Sequence, residues 1–139
     1  MERPIQTYQW KEEYELNVKI LDDRHKKFLE IVNQLVSTIN QEKENEELPQ
    51  MFFKLMDYAE NYFLQEEMVF KEYKFHDFEK HQEDHNSFIQ RIAQFQDEFT
   101  KGNESVGYEM LGFLTWWIKD RIVRYDSEAI DFLKKNSEP

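Results

Sequence analysis

The chain has 139 residues, no cysteine and a formal net charge of -11, with 29 acidic side chains against 18 basic ones. One hydrophobic core is the expectation at this length, and a content of 40% hydrophobic and 16% aromatic residues can fill it, which excludes a disordered chain. The acidic balance repels phosphate backbones and anionic membrane surfaces, so nucleic acid and membrane are excluded as partners, and the lack of thiols excludes disulfides, thiolate nucleophiles and sulfur-held zinc or iron. Any metal must therefore be held by nitrogen and oxygen.

Three Gly and three Pro are too few to punctuate many short strands, which points to an all-α chain. No run of about eighteen apolar residues occurs, and Met1-Glu2-Arg3-Pro4 leads into no apolar stretch, so the expectation is a cytoplasmic protein of one domain spanning residues 1–139. Residues 1–20 carry Pro4, Trp10, Tyr14, Leu16 and Val18 without sustained helical spacing. They predict an arm that packs by its aromatics and closes one end of the bundle formed with residues 21–134.

From Asp22 the apolar positions fall at steps of three and four: His25, Phe28, Leu29, Val32, Leu35, Val36 and Ile39. This predicts a first helix, with Asp22 and Asp23 at the positive end of its dipole and an exit dissolving into the acidic run that ends near Leu48-Pro49. The block from Glu42 to Glu47 reads as solvated helix ends or loop. A second stripe runs through Phe52, Leu55, Ala59, Tyr62, Glu66, Val69 and Tyr73, and a third through Phe78, His81, His85, Phe88, Ile92, Phe95 and Phe99. Lys101-Gly102-Asn103 supplies a helix stop. Leu111, Leu114, Trp117, Ile118, Arg121, Ile122 and Tyr125 trace a fourth helix, and the residues from Ser127 on predict a short closing helix. Four amphipathic helices with short connections predict an antiparallel up-down-up-down four-helix bundle.

The polar residues inside these stripes carry the functional signal, because an unpaired carboxylate or imidazole among Phe and Leu costs several kcal/mol, on the order of 2–7. His81 and His85, four positions apart, stack one turn apart on one helix face and can converge on one cation. A single buried histidine is most often a hydrogen-bonded core residue. Two on one seam, with His25 near a helix start, Glu66 on the second seam and Asp126 on the fourth helix, point to a metal instead. His76, in Lys74-Phe75-His76-Asp77, reads as an exposed turn residue. Glu67, Glu83 and Asp84 fall off the stripes and read as solvated charges, and Trp116-Trp117 as core wall rather than a redox element.

Several segments resemble bacterial hemerythrins. They are Trp10-Lys11-Glu12-Glu13-Tyr14-Glu15-Leu16-Asn17-Val18, Leu21-Asp22-Asp23-Arg24-His25-Lys26, Phe63-Leu64-Gln65-Glu66-Glu67-Met68, His81-Gln82-Glu83-Asp84-His85-Asn86-Ser87-Phe88, and Trp117-Ile118-Lys119-Asp120-Arg121-Ile122 followed by Asp126. The resemblance implies a four-helix bundle enclosing two irons, held by five histidines, bridged by one Glu and one Asp, and binding dioxygen reversibly. On that pattern His25, His81 and His85 match histidine ligands, and Glu66 and Asp126 match the bridging carboxylates. Tyr62 and Arg121 stand where the two remaining histidines belong. A Tyr62 phenolate is a hard oxygen donor suited to a ferric ion, and Arg121 stays protonated and cannot bind metal.

Three readings follow. The first is an iron site, of one or two ions or another first-row metal, held by His25, Tyr62, Glu66, His81, His85 and Asp126. It would act in dioxygen or peroxide chemistry or sensing, with Arg121 pairing a bridging carboxylate or a bound anion. The second is a metal-free remnant in which Arg121 bridges Glu66 and Asp126 and the bundle binds a protein partner. The third is a conventional oxygen carrier. Oligomeric state and enzyme status are not legible in the residues.

Overall fold

The computed structural model describes residues 5–12, 19–72 and 78–120. Four helices follow in chain order: α1 (Lys19–Asn40), α2 (Glu44–Glu72), α3 (Phe78–Thr100) and α4 (Val106–Trp117). No strand occurs among the described residues. The expected closing helix lies outside them.

Where their side chains are described, the stripes read from the sequence lie on buried or partly buried faces of the helices. His25, Phe28, Leu29, Val32, Leu35, Val36 and Ile39 of α1 are all buried, as are Phe52, Leu55 and Ala59 of α2 and His85, Phe88, Ile92 and Phe95 of α3. Val106, Met110, Leu111, Leu114 and Trp117 complete the core from α4. α4 approaches α1 closely at Gly107, where a Cβ would stand 3.3 Å from Ile39 Cγ1 and 3.4 Å from Glu44 Cγ.

Contacts between neighbouring helices set their directions. Along α1 and α2 the bonded pairs are Thr38 with Glu47, Gln34 with Lys54 and the Arg24 carbonyl with Tyr58, so the numbers fall on one helix as they rise on the other. Phe52 meets Phe99 and Glu67 meets His85 between α2 and α3, and Phe95 meets Phe113 and Phe88 meets Trp117 between α3 and α4. Each adjacent pair is therefore antiparallel. α1 and α3, separated by two reversals, run the same way.

Both described connections end their helix with the same hydrogen-bonded reversal. After α3, Asn103 N–H donates to the Glu98 carbonyl and Gly102 N–H to that of Phe99, with Gly102 at φ 94. After α1, Lys43 N–H donates to the Thr38 carbonyl and Glu42 N–H to that of Ile39, with Glu42 at φ 56. Glycine adopts this left-handed backbone freely, whereas Glu42 pays about 1–2 kcal/mol for it. Three residues then suffice to turn α1 into α2. The acidic block is thus only partly loop: α2 begins at Glu44 and takes Glu44, Glu46 and Glu47 into its first turn, where the helix dipole favours negative charge. Pro49 lies inside that helix on an exposed side, where water can replace the bond its missing N–H would make.

The described part of the arm lies along α1 rather than across an end. Asn33 receives the Tyr8 N–H on its Oδ1 at 2.7 Å and returns a bond from Nδ2 to the Tyr8 carbonyl at 2.9 Å. Asn40 does the same with Ile5, at 2.8 and 2.7 Å. Each amide imitates a neighbouring strand. Lys26 stands 5.1 Å from the Trp10 ring, and the arm descends α1 from residue 40 towards residue 26 with Ile5, Tyr8 and Trp10 packed on the core.

Candidate metal centre

An aromatic layer crosses the bundle at Phe28 of α1, Tyr58 of α2, Phe88 of α3 and Trp117 of α4. Phe28 lies 6.1 Å from Phe88 and 5.5 Å from Tyr58 between ring centroids, and Phe88 lies 4.8 Å from Trp117. Such offset rings fill space with little polar surface, and the Tyr58 hydroxyl is satisfied, since it donates to the Arg24 carbonyl at 2.7 Å. That bond ties α2 to the turn of α1 that carries His25.

His25 precedes Phe28 by three residues and His85 precedes Phe88 by three. Because α1 and α3 run in the same direction and their phenylalanines touch, both histidines lie about 4.5 Å further along, at one level on opposite corners of the bundle. They are 1% and 2% exposed. Tyr62 and Glu66 follow Tyr58 on α2 by one and two turns towards the same end, and His81 precedes His85 on α3 by one turn. The side chains of Tyr62, Glu66 and His81 lie outside the described residues, as do Arg121, Asp126 and His76 altogether. Backbone register thus brings five of the sequence-derived ligand positions to the end of the bundle opposite the two described turns.

One residue departs from its expected place. Glu67, read from the sequence as a solvated charge, has a side chain only 16% exposed, and its Oε1 lies 3.3 Å from His85 Nδ1. An ionised carboxylate only accepts, so Nδ1 donates, and in a neutral imidazole the lone pair then belongs to Nε2. Asp22, read as a dipole partner at the helix entry, is itself buried one turn before His25 on the same face. Glu83 is exposed and Asp84 only partly so. Trp117 is core wall, but Trp116 is exposed and stands outside the core.

This donor set fits a metal of nitrogen and oxygen preference: two imidazoles in a dry layer, one already held by a carboxylate through its other nitrogen, which is how metal-binding histidines are commonly oriented. Among the described residues no cluster of three or more His, Asp or Glu is close enough to hold an ion, and these include only two of the six proposed ligand side chains, His25 and His85. No described helix is long and apolar enough to cross a membrane.

Comparison with known proteins agrees with the geometry. The sequence profile described as the Hemerythrin HHE cation binding domain matches residues 16–133. The Bacteriohemerythrin of Clostridium acetobutylicum is 30% identical over 126 residues, covering 88% of this chain and 98% of that protein. Those of Pseudomonas paraeruginosa and Methylococcus capsulatus are 26% and 27% identical, over 90% and 82% of this chain and 80% and 86% of theirs. With the profile spanning most of its length and its helices carrying buried histidines at one level of a four-helix bundle, the chain belongs to the hemerythrin HHE cation-binding domain family.

Proposed function

We propose that this single-domain chain is a cytoplasmic non-haem iron protein acting in dioxygen or peroxide chemistry or sensing. Its metal is held by His25, Tyr62, Glu66, His81, His85 and Asp126. The observation that carries the reading is the placement of His25 and His85 at one buried level, above an aromatic layer that excludes water. The names of the bacterial relatives favour iron and dioxygen over other metals and ligands.

Iron bound here would supply a redox-active Lewis acid; the chain supplies its environment. His25, His81 and His85 donate neutral nitrogen, while Glu66 and Asp126 donate charged oxygen. A Tyr62 phenolate favours the ferric state, which disfavours reversible carriage and favours oxidation or sensing. Arg121 stays cationic and serves by pairing with a carboxylate or an anionic ligand rather than by binding metal. Phe28, Phe88 and Trp117 form a buried apolar floor beneath the site, and shielding from water strengthens charged interactions next to it.

Loading the chain with iron(II) without air and then adding dioxygen or hydrogen peroxide tests the reading by visible spectroscopy. A charge-transfer band should develop, and Tyr62→Phe should remove the phenolate part of it while leaving the iron content unchanged or slightly lower. An iron-loaded chain with no spectral response to either oxidant would sink the proposed function. A response identical with Phe at position 62 would remove Tyr62 from the ligand set.

A further inference from the structure

Consecutive positions on a helix are about 100° apart, so Glu66 and Glu67 occupy different parts of the α2 circumference. Glu66 continues the seam of Phe52, Leu55 and Ala59; Glu67 is the one whose carboxylate reaches across to α3 and meets His85. We propose that Glu67 is a positioning residue, which fixes the tautomer and ring orientation of His85 so that Nε2 is the nitrogen offered to metal. The inference rests on reading this end of the bundle as a metal centre.

Three observations carry it. The His85 side chain is 3% exposed, so its ring has little freedom to be reoriented by solvent, and Glu67 is the partner identified at Nδ1. The bond joins two different helices, with Glu67 on α2 and His85 on α3, so it holds the ring relative to the seam that carries Tyr62 and Glu66 rather than only to its own helix. Finally, an imidazole whose N–H is held by a carboxylate is a stronger donor at its other nitrogen. Loss of such a partner typically costs about 10–100-fold in metal affinity. Glu67 thus acts on metal through His85 while touching none itself.

Nitrogen-15 correlation spectra of the metal-free chain at pH 8, above the ordinary imidazole pKa of about 6.5, read the tautomer directly. Cobalt(II) and iron(II) titrations of the same samples read the affinity. The wild-type chain should show His85 protonated at Nδ1. Glu67→Leu should shift it towards the Nε2-protonated form and weaken metal binding about 10–100-fold at unchanged helical circular dichroism. Glu67→Gln keeps an accepting oxygen without the charge, so it should retain the tautomer and lose less affinity. Should Glu67→Leu fail to fold, Glu67→Ala carries the same comparison. A wild-type chain that binds the metals, with Glu67→Leu binding them equally or with its His85 tautomer unchanged, overturns this inference alone. A wild-type chain that binds neither metal overturns the metal reading and this inference with it.

Discussion

Phe88→Ala is expected to lower the stability of the folded chain by about 3–5 kcal/mol, against a total of about 5–15 kcal/mol for a domain of ordinary stability. Phe88 is fully buried and sits where three helices meet, touching Phe28 of α1 and both Phe113 and Trp117 of α4 from its place on α3. Truncation removes the ring that joins diagonal helices, and neighbours of that size cannot close the cavity without leaving their own rotamers. Denaturant midpoints at constant m-value measure the loss. Phe88→Leu, which keeps most of the volume, should cost much less. A loss below about 1 kcal/mol for the alanine variant would show that the aromatic layer is not packed as described.

The second large effect is expected at the histidines. His25→Ala and His85→Ala should each deplete bound metal and abolish most of the thermal stabilisation that metal confers, because an ion that binds only the folded state stabilises it by mass action. That stabilisation is about 2.7 kcal/mol when free metal exceeds the dissociation constant a hundredfold. The informative quantity is the difference in melting temperature between metal-loaded and chelator-treated protein, since the two samples share whatever packing loss the substitution brings. In the wild-type chain the difference should be several degrees; in either variant it should nearly vanish. A variant that keeps the full difference would show that its histidine binds no metal.

The helices and the faces they bury were legible because a period of 3.6 residues leaves few alternatives over five or six turns. His25 through Ile39 illustrates this, since every residue of its stripe is buried. Burial of His25 and His85 was legible for the same reason: each interrupts an apolar series in register. The start of α2 was not. Its acidic residues suit a solvated helix end or a loop alike, and the helix dipole, together with the Glu47 carboxylate accepting from Thr38, favours the helix end. Glu67 was missed on different grounds. It lies one residue off the apolar seam, and periodicity assigns such a position to solvent unless a neighbouring helix is near enough to claim it. Nothing in the spacing of α2 tells where α3 stands. The course of the arm along α1 was hidden similarly, because Asn33 and Asn40 lie off the apolar stripe of α1 and the spacing does not show that the backbone of Tyr8 and Ile5 lies beside them.

The central claim is that this bundle holds metal, and elemental analysis of the full chain tests it most directly. Protein produced with ample iron and purified without chelator should carry about one to two iron ions per chain, and should lose them, together with part of its thermal stability, on treatment with a strong chelator. Protein that carries only traces of any first-row metal under these conditions, and that melts at the same temperature before and after chelation, would contradict the account.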